Sequence, residues 1–74
     1  MPKIVMKGWL EGLEKVSLSL LQVNLLGLSL KESKSNVDLL LDDEEVIIQV
    51  GSLELANKFI KEAKSIGVIC EVKK

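Results

Sequence analysis

The sequence holds no histidine, no tyrosine and a single cysteine, Cys70. That removes most of the side chains that move protons or attack substrates near neutral pH. One cysteine excludes an internal disulfide framework and fits a reducing compartment, so a cytoplasmic location is expected. Cys70 stands in a strand-like segment with no base nearby in sequence, which reads as a small buried hydrophobe and not a nucleophile. Aromatic residues are almost missing: Trp9 and Phe59 are the only two. Nucleic acid therefore finds no stacking platform, and a formal net charge of −1 offers no general attraction to a polyanion. The uncharged run from Val16 to Leu30 is too short for a membrane span and contains Ser, Gln, Asn and Gly. Glu11 and Glu14 ahead of it do not match a cleavable signal peptide.

No metal or cofactor is expected. The acidic stretch "DDEE" (42–45) sets carboxylates at consecutive positions, which splay apart, and it reads as a solvated turn. "GWLEGLEK" (8–15) lacks the Gly-Lys-Ser/Thr ending of a phosphate loop, and its glutamates would repel phosphate. Lys58, Lys61 and Lys64 line one side of a helical segment and read as a solvated face. Trp9 reads as a cover over one end of the core.

What is present is aliphatic: 47% of the 74 residues are hydrophobic and 28% are charged, a balance that suits one small packed domain over residues 1–74. "KIVMK" (3–7) reads as a strand, followed by a turn-rich connection over 8–14. Residues 15–26 have the length of a three-turn helix, and Gly27 stops it. Ser29 with Glu32 forms a capping box for a second helix, whose buried side is Leu30, Ser33, Val37 and Leu40 or Leu41. "VIIQV" (46–50) is a β-branched strand. Ser52 caps a third helix in which Ala56, Phe59, Ile60 and Ala63 fall at i, i+3, i+4, i+7. Gly67 closes that helix and "VICEV" (68–72) ends the pattern as a strand. The expected fold is α+β: a two-layer β-α-α-β-α-β sandwich, with three helices on one face of a three-stranded sheet.

The first helix is apolar on two sides. Leu18, Leu21 and Leu25 form one stripe, and Val16, Leu20 and Val23 form another roughly opposite. Ser17 and Asn24 divide the stripes on one flank, Ser19 and Gln22 on the other. Each aliphatic side chain left in water forgoes about 1.5–3 kcal/mol of burial. Either the second helix folds over the second stripe or another molecule covers it.

The run "KVSLSLLQVNLLGLSLKESKSNV" (15–37) resembles the C-terminal domain of the bacterial ribosomal stalk protein, number seven/twelve of the large subunit. That family has a Lys-Val helix start and a Gly-Leu-Gly-Leu-Lys-Glu-Ala-Lys run, which here is Gly27, Leu28, Ser29, Leu30, Lys31, Glu32, Ser33, Lys34. The tail "GSLELANKFIKEAKSIGVICEVKK" is similar to the family's last helix and strand. The resemblance implies the same sandwich and a non-enzymatic role: capture of translational GTPases by a surface of the first two helices. Lys15, Val16, Leu30 and Lys34 match that surface. Leu20 and Val23 stand on it where relatives bear a lysine and an arginine, a change that trades electrostatic steering for apolar contact. Ser29 replaces a family glycine. The family's stalk protein also has an N-terminal dimerisation domain and a hinge. Only Met1 and Pro2 precede the first strand here, so the expectation is a chain that is not an ordinary stalk subunit.

Two readings compete. In the first, Lys15, Val16, Leu20, Val23, Leu30 and Lys34 bind a protein partner, by resemblance a translational GTPase. In the second, the apolar stripe pairs with its own copy in a homodimer that serves a structural or adaptor role.

Overall fold

The computed structural model describes residues 1–74. In chain order the elements are β1 (Lys3–Trp9), α1 (Lys15–Leu26), α2 (Leu30–Leu41), β2 (Val46–Gln49), α3 (Leu53–Ser65) and β3 (Val68–Lys73). β1 is the central strand and pairs antiparallel with β2 on one side and β3 on the other, giving the order β2-β1-β3. The α+β sandwich expected from the sequence is the observed architecture.

Alternation along the strands decides which face is buried. Ile4 and Met6 of β1, Val46 and Ile48 of β2, and Val68 and Cys70 of β3 point into one core with Leu18, Val37, Leu40, Ala56, Phe59 and Ala63. Ile47 and Ile69 point to the helix-free face and are 58% and 46% exposed. Ile60, expected in the core stripe of α3, packs against its edge.

The helices are not equivalent. α2 and α3 lie on the sheet without a close backbone approach to each other; α1 lies between them and meets no strand at the backbone level. It reaches the core through Leu18, which is fully buried. A helix wedged between two others buries a wide arc, and this accounts for part of its two-sided apolar character.

The caps explain the boundaries. Ser29 Oγ accepts a hydrogen bond from the Glu32 N–H at 3.1 Å, and Ser52 Oγ accepts from the Leu55 N–H at 3.1 Å. Gly27, at φ 71°, ends α1 in the left-handed region, and its N–H donates to the Val23 carbonyl at 3.2 Å. α1 itself begins on Glu14 with no side-chain cap.

β1 departs from the sequence expectation. It runs on to Trp9, because the ladder to β3 shifts between Met6 and Gly8, leaving Lys7 as the extra residue of a bulge. Gly8 is thus a strand glycine beside the Ile69 side chain, and not the start of the connection. Trp9 is exposed and outside the buried cluster, so it does not cover the core as expected.

Candidate functional site

α1 and α2 are joined by three residues, Gly27 to Ser29, and so run as an antiparallel pair. Along their outer junction lies a groove of about 500 Å³. α1 lines it with Lys15, Val16, Ser19 and Leu20. α2 lines it with Leu30, Lys34, Val37, Asp38 and Leu41. Of the six residues expected at a partner surface, the groove gathers Lys15, Val16, Leu20, Leu30 and Lys34. Val23 is half-buried and lies outside it.

Val16 is 74% exposed, Leu20 47% and Leu30 49%. The second stripe of α1 is therefore not covered by α2. Leu20 also lines a smaller groove against α3, with Leu21 and Ile66, so it stands on a ridge between two depressions. Lys15 and Lys34 are exposed, and neither is in an ion pair; the ion pairs of the chain are Lys7–Glu71 at 2.9 Å and Lys73–Glu71 at 3.8 Å, on the far side of the sheet. The groove thus offers an aliphatic floor with two uncommitted cations and one carboxylate, Asp38. It can hold an apolar side chain and attract an acidic group beside it.

Ser19, Val37, Asp38 and Leu41 are groove residues that sequence reasoning did not place there. For α2 a signal existed: Leu30, Lys34, Asp38 and Leu41 recur at helical spacing and share one face. Ser19 carried no such signal. The flank Ser19–Gln22, read as a polar divider between two stripes, is buried against α2. Gln22 is fully buried and hydrogen-bonded, which leaves Val16 and Leu20 of the outer stripe facing solvent and Val23 half-buried.

Away from the groove, Cys70 is buried, and loss of hydration pushes its thiol pKa up. It stays protonated and unreactive at neutral pH. The acidic residues 42–45 lie in an exposed turn and loop, and no group of three or more His, Cys, Asp or Glu side chains is placed to hold a metal ion. No helix is long and apolar enough to cross a membrane.

The chain matches no family model, and no curated protein matches it significantly.

Proposed function

We propose that this chain is a non-enzymatic protein-interaction domain of the cytoplasm, similar to the factor-binding domain of the ribosomal stalk, that docks translational GTPases on the α1/α2 groove. One observation carries the proposal: the four residues that match the family's surface, Lys15, Val16, Leu30 and Lys34, surround a single depression together with Leu20 of the second stripe, and three of the five are aliphatic and exposed. Leaving Val16, Leu20 and Leu30 in water costs burial free energy that a partner surface would recover. Lys15 and Lys34, free of intramolecular partners, would meet carboxylates on that partner. With Leu20 in place of a family cation, apolar contact dominates, and affinity falls only weakly with salt.

The direct test is calorimetric titration of purified bacterial translational GTPases into the chain and into its Leu20→Glu variant. Saturable binding by the wild type, weakened at least about tenfold by the variant, is the expected outcome. Equal affinities would remove the groove from the interface.

The ridge at Leu20 supports a second reading. A ridge between two grooves is a shape that can interdigitate with its own copy across a two-fold axis. Sedimentation velocity across a concentration series separates the two readings. A dimer dispersed by Leu20→Glu supports self-pairing, and a monomer at high concentration excludes it.

A further inference from the structure

The junction beneath the groove is polar where two packed helices are usually apolar. Gln22 of α1 is fully buried, and its amide spans the interface. Nε2 donates to the Leu18 carbonyl at 3.2 Å in its own helix and to the Ser33 carbonyl at 3.3 Å in α2. Oε1 accepts from Asn36 Nδ2 at 2.8 Å. The Gln22 backbone carbonyl also accepts from the Leu28 N–H at 3.4 Å, in the turn joining the helices. One residue therefore ties together the end of α1, the turn and the middle of α2.

The seam is not built for stability alone. Ser33 Oγ, on the same seam, is fully buried and has no hydrogen-bond partner, at a cost of about 1–3 kcal/mol. Aliphatic side chains of similar volume would avoid that cost and pack well. What an amide supplies and a methyl cannot is direction. A leucine can slide along a facing helix, whereas Gln22 meets its two partners on α2, the Ser33 carbonyl and Asn36 Nδ2, at one rotation and one spacing of α1 against α2.

We infer that Gln22, through Asn36 and the Ser33 carbonyl, is the positioning residue of the α1/α2 groove. It fixes the angle between the helices and so the shape a partner meets. It touches no partner itself: it lies beneath the surface, three residues along from the groove residue Ser19. The partner-binding part of this inference rests on the docking function proposed above; the helix-positioning part does not.

The test pairs Gln22→Met with Asn36→Leu, which removes donor and acceptor together and keeps the volume. Two quantities are read: the orientation of α1 relative to α2 in the free protein, from residual dipolar couplings, and the affinity for a purified translational GTPase. The double variant is expected to melt near the wild-type temperature. α1 should rotate by about 15–20°, the freedom within one class of helix packing, and affinity should fall at least about tenfold. A merely structural Gln22 would lower the melting temperature and leave the angle alone. A wild-type angle in the double variant overturns the inference, and so does a rotated α1 with wild-type affinity. If the wild type binds no GTPase, the docking function fails by itself, and the measured angle still decides the positioning role. Should the double variant not fold, Asn36→Ala removes one bond of the three, and the same measurements apply to a smaller rotation in the same sense.

Discussion

Single residues show where this small fold has no slack. Gly67 has φ 101°, and a Cβ there would lie 3.1 Å from the Leu13 backbone. The neighbouring chain is fixed, since the Leu10 N–H donates to the Gly67 carbonyl at 2.8 Å. Gly67→Ala should therefore cost about 2 kcal/mol or more, read as a lower urea midpoint with an unchanged slope. Glu71 behaves differently. The hydrogen bond from Lys7, then the lysine charge, hold its carboxyl below the usual carboxylate range, and the same hydrogen bond raises the Lys7 pKa. A depressed carboxylate pKa contributes stability above the unfolded pKa and loses it as pH falls through the folded one. The raised lysine contributes below its unfolded pKa and loses it as pH rises through its folded one. Urea curves of Glu71→Gln and wild type should differ slightly at neutral pH and converge in acid below the folded pKa of Glu71. Both side chains are well exposed, so the difference is small. Cys70 should resist thiol reagents in the native protein and react on unfolding in urea, in keeping with its burial and raised pKa.

At the scale of elements, α1 is the helix with least local support. It starts without a side-chain cap, has no acid in its first turn and no base in its last, and begins on Lys15, whose charge opposes the helix dipole. Its order comes from the wedge between α2 and α3. Glu14→Ser should supply the missing cap and raise stability by about 0.5–1 kcal/mol, whereas Ser29→Ala should remove one from α2 and cost about 1 kcal/mol; thermal melts check both. The legibility of the sequence divides along these lines. Helix ends were readable because Ser29, Ser52, Gly27 and Gly67 act on backbone atoms a few residues away. The helical period of α3 was readable because Ala56, Phe59 and Ala63 all face one sheet. The extension of β1 to Trp9 was not, because the bulge at Lys7 depends on β3, some sixty residues later. Nor was the burial of Ser19 and Gln22. Hydropathy places amides and hydroxyls outside; the partners that Gln22 finds across the seam, the Ser33 carbonyl and Asn36, lie eleven and fourteen residues away in sequence. Five of six candidate site residues came together because exposure on α1 and α2 follows helical spacing. Val23, a turn beyond Leu20, fell outside: it is half-buried, and on α1 the groove is lined only between Lys15 and Leu20.

For the whole molecule the central matter is which apolar surface meets a partner. Two open surfaces can be compared directly: the ridge and groove of α1 and α2, and the helix-free face of the sheet with Ile47 and Ile69. The second is flanked by the paired charges of Lys7, Glu71 and Lys73, which already satisfy one another. The first has lysines with no partner. The most direct measurement is a methyl-labelled NMR titration with a purified translational GTPase, because it reports both surfaces in one sample. Docking on the groove predicts that the methyls of Val16, Leu20 and Leu30 shift or broaden while Ile47 and Ile69 stay in place. Perturbation confined to Ile47 and Ile69, or no perturbation at any methyl, would contradict it.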